Sequence, residues 1–202
     1  MSPNKDSSNL IITGVGGQGN VLASQLIGQA FVGKGYFVTI GETYGASQRG
    51  GPVMSHIRIS KKKQRSPLIP RGKGDILVAM EPVEALRVLA VYGNPDVVAL
   101  VNTRPIYPID VTTGEEPYPE LDDIKKRVDE LSTSAYYIDA TEKAIQMGSP
   151  ILGNMIMVGA LLELKLLPIS LSEFCDTLSR NLSDKKLDVN LKAIEEGRKA
   201  VQ

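Results

Sequence analysis

The first residues whose types and spacing could do chemistry form a glycine-rich run, Gly14-Val15-Gly16-Gly17-Gln18-Gly19. A short apolar segment, Leu10 to Thr13, precedes it, and Val21, Leu22, Leu26, Ile27, Ala30 and Phe31 follow at helical spacing. A strand that turns through glycines into a helix offers free backbone N–H groups and the positive end of the helix dipole to an anion. Gly14, Gly16 and Gly19 have the spacing of a dinucleotide-binding loop, and Glu42 lies about twenty residues on, where that pattern expects a ribose-binding carboxylate. The same glycines would equally serve a tight strand-to-helix turn that binds nothing.

A second run, Gly41-Glu42-Thr43-Tyr44-Gly45-Ala46-Ser47-Gln48-Arg49-Gly50-Gly51-Pro52, joins permissive glycines to hydroxyls, amides and one guanidinium. Such a loop suits a carboxylate or phosphate, with Arg49 as the anion anchor. Its alternative is a plain turn in which Arg49 pairs with a local acid such as Glu42. His56 sits on an alternating segment, where packing is the expected role. Cys175, beside Phe174 on a helical stretch with no adjacent cation, reads as a buried, inert thiol. Lys61 to Arg65 reads as a solvated turn after a strand, and the mixed charges between Asp122 and Glu130 as a solvated helix face.

The composition narrows what these loops can serve. Lysine plus arginine and aspartate plus glutamate number 23 each, so no overall field favours nucleic acid or an acidic membrane. One cysteine and one histidine rule out an internal disulfide, and an iron–sulfur cluster takes about four thiolates. Zinc is equally short of ligands. Apolar runs fall short of the roughly 20 residues that cross a bilayer, and the expected location is cytoplasmic.

The elements that must position the loops follow from periodicity. Leu10 to Thr13 predicts a buried first strand, and Tyr36 to Ile40 a second strand closed by Gly41, the two joined by the helix in a βαβ-sized unit. Val53 to Ser60 alternates, Asp75 to Met80 and Asp96 to Val101 are β-rich, and Val83 to Val91 forms a helix begun by Pro82. Residues 1–9 read as a polar tail and 103–120, with four prolines, as an irregular excursion. Tyr136 to Ile138 predicts a late strand and Thr141 to Met147 a short helix. Ile151 to Leu167 predicts a helix buried on more than one side, Ser170 or Ser172 a cap, and Asp184 to Val201 a final helix. The expectation is a single α/β domain over 1–202: a doubly wound, mostly parallel, Rossmann-like sheet with additional C-terminal helices.

Taken together, Gly14 to Gly19, Gln48-Arg49-Gly50-Gly51 and Ser55-His56-Ile57-Arg58-Ile59, in that order, resemble the gamma-type domain of the 2-oxoacid:ferredoxin oxidoreductases, most closely its indolepyruvate branch. The likeness runs on through Asp75-Ile76-Leu77-Val78 and Gly153-Asn154. Asn20 stands where that branch has an apolar residue, and the Gly51-Pro52 ending is similar to pyruvate-type relatives. The resemblance implies a subunit, inactive alone, of an enzyme that oxidatively decarboxylates a 2-oxoacid to an acyl-CoA. Thiamine diphosphate with Mg, iron–sulfur clusters and coenzyme A would be used by the complex, the clusters and thiamine on partner chains that pass electrons to ferredoxin. Gly14, Gly16, Gly17, Gln18, Gly19, Glu42, Ser47, Gln48, Arg49, Gly50 and Gly51 become ligand or partner-interface positions, with none catalytic. A stand-alone NAD-binding oxidoreductase and a non-enzymatic regulatory homologue are the alternatives.

Overall fold

The computed structural model describes residues 7–45 and 51–202. Among them six strands form one sheet: β1 (Ser7–Val15), β2 (Phe37–Tyr44), β3 (Pro52–Ser60), β4 (Ile76–Ala79), β5 (Val98–Asn102) and β6 (Ser134–Ile138). Their order across the sheet is β2-β3-β1-β4-β5-β6. The β1–β4, β4–β5 and β5–β6 pairs are parallel, whereas β3 runs antiparallel to both β1 and β2. Alternation along β1 feeds two cores. Leu10 and Ile12 face α1 (Asn20–Gly33), α6 (Gly153–Glu163), α7 (Leu171–Asn181) and α8 (Asp184–Lys199), while Ile11 faces α2 (Pro82–Tyr92) and α4 (Leu121–Leu131). Phe31 and Phe174 are fully buried in the first core, each contributing roughly 1.5–3 kcal/mol through removal from water. Helices on both faces of a mostly parallel sheet make this the doubly wound α/β fold that the sequence predicts.

Three expectations need correction. The unit β1–α1–β2 is not a nearest-neighbour crossover, because β3 pairs with both strands and stands between them. Gly41 does not close β2, which continues to Tyr44 opposite Val53. The polar start is part of the sheet from Ser7: Ser8 and Asn9 are buried, and Asn9 holds Asp75 Oδ2 through its N–H (2.8 Å) and Lys73 O through Nδ2 (2.7 Å). A polar sequence can enter a ladder when its side chains find partners.

The C-terminal helices form as predicted, with sharper limits. Residues Pro150–Leu152 make a 3-10 turn before α6, and the helix stops near Lys165, whose φ of +51° is left-handed. Ser170 caps α7 in a reciprocal box with Glu173. Gly159 of α6 and Gly197 of α8 meet back to back: a Cβ on either would collide with the carbonyl of Ile194 or Ile156. The excursion carries only the four-residue α3 (Ile109–Thr112), which buries none of its residues. A short α5 (Ala140–Gln146) completes the set.

Candidate functional site at the strand ends

After β1 the chain turns to the α1 face, and after β4 to the α2 face. The junction between these two strands is therefore the switch point of the sheet, beyond whose carboxyl ends doubly wound folds hold their ligands. The first glycine run lies there. Gly17 and Gly19 have φ of +106° and +80°, a conformation open chiefly to glycine, and Gly19 leads directly into α1. Among the described residues no side chain caps α1, and no acid occupies its first turn, so its orphan N–H groups and positive dipole end face a cavity of about 450 Å3.

Side-chain amides from separate elements hold the loop. Gln18 Oε1 accepts from Val15 N (2.7 Å) and Gln18 Nε2 donates to Met80 O (2.8 Å), bridging the ends of β1 and β4. Asn102 Nδ2 also donates to Met80 O (2.9 Å) and to Thr141 Oγ1 (2.8 Å), while its Oδ1 accepts from Ala140 N (3.0 Å) at the start of α5. Asn154 Nδ2, from α6, donates to Gly19 O (3.3 Å). None of these amides titrates. The sequence reading missed Asn102; an asparagine closing the apolar run Val98 to Val101 was its only signal.

The two glycine runs meet. Gly16 N donates to Gly51 O (2.9 Å), and the β2–β3 hairpin brings Tyr44 and Val53 into the cavity wall beside Gly16, Gly17 and Gly19. Leu22, Tyr44 and Ile151, exposed by 42%, 61% and 44%, give the cavity an apolar rim. No charged side chain lines it among the described residues. Ser47, Gln48, Arg49 and Gly50 lie outside the described residues. Glu42 is not in the cavity wall. Standing on β2, it is separated from β1 by β3, a displacement of roughly 10 Å, and it contacts Ser24 Oγ (3.5 Å) and the Tyr44 hydroxyl. Gly14 sits beneath the loop, where a Cβ would press on Gln18 Oε1 and Met80 Cβ.

The Ser-His-x-Arg strand has a definite task on the α2 face. His56 is fully buried; its Nδ1 accepts from Ile69 N (3.4 Å) and its ring meets Tyr92 edge-on at 5.0 Å. Burial, aided by the Arg58 charge, lowers its pKa and keeps it neutral. Arg58 Nη1 donates to Ser66 O, Ser66 Oγ and Leu68 O at 3.2, 2.8 and 3.2 Å. Together the two side chains pin the segment after β3 against the sheet. Cys175 is half-buried, and burial raises its pKa away from the reactive range. At the other side of the switch point, buried Glu81 caps α2 through Glu84 N (2.9 Å) and accepts from the Tyr118 hydroxyl (2.5 Å), anchoring the excursion.

Among the described residues, no group of three His, Cys, Asp or Glu is placed to hold a metal, and no helix is long and apolar enough to cross a membrane. The single cysteine of the sequence does not fit a cluster that takes about four thiolates.

Comparison with known proteins places this geometry. Residues 9–200 match the family model described as pyruvate ferredoxin/flavodoxin oxidoreductase. The chain is 37% identical over 195 residues to indolepyruvate oxidoreductase subunit IorB of Pyrococcus horikoshii, covering 96% of each chain. It is also 37% identical to the Archaeoglobus fulgidus subunit of that name, covering 94% of this chain and 92% of the other. A 2-oxoglutarate:ferredoxin oxidoreductase from Magnetococcus marinus has the same fold, with a TM-score of 0.75 at 23% identity; 98% of this chain aligns, but only 31% of that longer chain. Pyruvate oxidoreductase subunit PORC from Thermotoga maritima shares the fold with a TM-score of 0.72 at 22% identity, over 96% and 97% of the two chains. With residues 9–200 matched to its family model and near-complete coverage of curated relatives at 37% identity, the chain belongs to the pyruvate ferredoxin/flavodoxin oxidoreductase family.

Proposed function

We propose that this chain is the cluster-free subunit of a cytoplasmic, thiamine-dependent 2-oxoacid:ferredoxin oxidoreductase that converts an aryl 2-oxoacid such as indolepyruvate to its acyl-CoA. The observation that carries the reading is the 37% identity to an indolepyruvate oxidoreductase subunit across 96% of both chains. The whole chain, 1–202, acts as one gamma-type domain. Thiamine diphosphate with Mg and the iron–sulfur clusters reside on companion subunits, which the shortage of thiolates here supports. This chain's own contribution is binding and orientation. The N–H groups of Gly17, Gly19 and the first turn of α1 hold an anionic group of coenzyme A or of the companion subunit at the positive end of α1. Arg49, in the run Ser47-Gln48-Arg49-Gly50-Gly51, is the anion anchor that the sequence offers for the same ligand. The apolar rim of Leu22, Tyr44 and Ile151 excludes water where the companion seats.

Reconstitution tests this. The tagged chain should co-purify from its native cells with a thiamine-binding, cysteine-rich polypeptide, and the pair should reduce ferredoxin with indolepyruvate and coenzyme A. Arg49→Ala should cut that turnover at least about tenfold while shifting stability by less than ~0.5 kcal/mol. The isolated chain binding and reducing NAD unaided would overturn the reading.

A further inference from the structure

The sheet face opposite the glycine-loop cavity carries a second hollow of about 300 Å3, between α2 and the strands that lead into the hairpin. Met54, Val88, Val91 and Tyr92 give it an apolar wall, and Glu84 and Arg87, one helical turn apart on α2, stand beside them. Glu84 is only 6% exposed, and its Oε1 accepts from Arg87 Nη1 at 2.6 Å. The Arg87 side chain keeps 59% of its exposure, so its remaining N–H donors are open to a ligand. The hollow thus offers a carboxylate and a guanidinium side by side at the edge of an apolar wall.

We propose that this hollow is a binding site for an apolar α-amino acid: the ammonium group meets the Glu84 carboxylate, the carboxylate meets Arg87, and the side chain lies along Met54, Val88, Val91 and Tyr92. Charge matching carries the choice. The Glu84–Arg87 pair is neutral as a whole, so a zwitterion satisfies both members, whereas a simple amine or a simple acid sets one of its members against a like charge. Burial raises the Glu84 pKa, partly opposed by Arg87 and reinforced by neighbouring Glu81, so a second cation beside it is welcome. The volume stands at the lower limit of ligand cavities and suits one amino acid rather than a nucleotide. Met54 lets the wall adapt to side chains of different shape. Tyr44 lines both this hollow and the glycine-loop cavity, so an occupant here touches the same hairpin that walls the first site.

Titration of the full chain decides the matter without the companion subunit, and its outcome is independent of the oxidoreductase reading. By calorimetry, L-phenylalanine and L-leucine should bind. Phenethylamine and 3-phenylpropanoate, each lacking one charge, should bind at least about tenfold more weakly. Arg87→Ala and Glu84→Gln should each weaken L-phenylalanine by about tenfold or more. Val91→Trp, at a position 38% exposed on the wall, should block the hollow without touching the pair. Should Glu84→Gln fail to fold, the two variants at exposed positions carry the test. No heat with L-phenylalanine up to about 10 mM, or equal binding of 3-phenylpropanoate, would overturn the proposal.

Discussion

Replacing Gln18 separates a strut from a ligand contact. In Gln18→Ala the Val15 N–H loses its acceptor at 2.7 Å and the Met80 carbonyl loses one of its two amide donors, at 2.8 Å. A neutral hydrogen bond contributes about 1 kcal/mol net, and a buried N–H left without a partner costs about 1–3 kcal/mol. Met80 O keeps Asn102, so most of the loss falls on Val15, and the total comes to roughly 2–4 kcal/mol. For a chain of 202 residues that lowers Tm by about 4–16 °C. Gln18→Glu keeps the acceptor for Val15 but turns a second acceptor toward Met80 O, so its loss should be of similar size and should lessen at low pH, as the carboxyl regains a proton to donate. Urea unfolding followed by circular dichroism reads both variants. If Gln18→Ala unfolded within about 0.5 kcal/mol of the parent while assembly or coenzyme A binding collapsed, the side chain would be facing a ligand and the strut argument would be refuted.

Gly197→Ala should destabilise by about 1–3 kcal/mol or more, because the added methyl meets the Ile156 carbonyl across the α6–α8 crossing; thermal melts check it. Tyr118→Phe removes the hydroxyl that donates to buried Glu81, a charge-assisted bond worth roughly 1.5–3 kcal/mol, and should speed limited proteolysis within 103–120 before the rest of the chain. The hydrogen bond from Lys34, followed by those of the Ser170 cap, holds Glu173 at about 2, below its ordinary value. Its folded pKa is depressed, so its contribution is complete above about pH 4.5 and fades as pH falls toward 2; Glu173→Gln should flatten that acid limb in melts recorded from pH 6 to 2.

What the sequence revealed and what it hid divide along physical lines. Periodicity and punctuation located α1, β3, α2 and α8 because those signals are local: an apolar stripe, alternation, Pro82 at a first turn. Pairing is not local. Nothing in Tyr36 to Ile40 says that Val53 to Ser60 will slide between it and the first strand, since both partners read alike as half-buried strands. For that reason Glu42, placed beside the glycine loop by spacing, ends two strands away from it. The glycine loop itself was legible, for φ above zero at Gly17 and Gly19 leaves a compositional trace. Asn102 was not, because its tie to Met80 O, which Gln18 also holds, joins residues distant in sequence. The sequence carries no mark that Gly159 and Gly197 cross each other; that contact needs the tertiary structure.

Strand β3 works as a ruler. It spans Pro52 to Ser60 against β1 without a break, with the Gly16–Gly51 bond at one end and the Ser7–Ser60 pair at the other. One inserted residue would advance the hairpin tip by about 3.3 Å and swap the faces of every side chain beyond it. His56 would then be thrust among the helices on the α1 side and Ile57 would be traded onto the side where Ile69 and Tyr92 wait. The placing of the second glycine turn against the first is therefore a quantity counted in residues, and an insertion or deletion within β3 should not be tolerated.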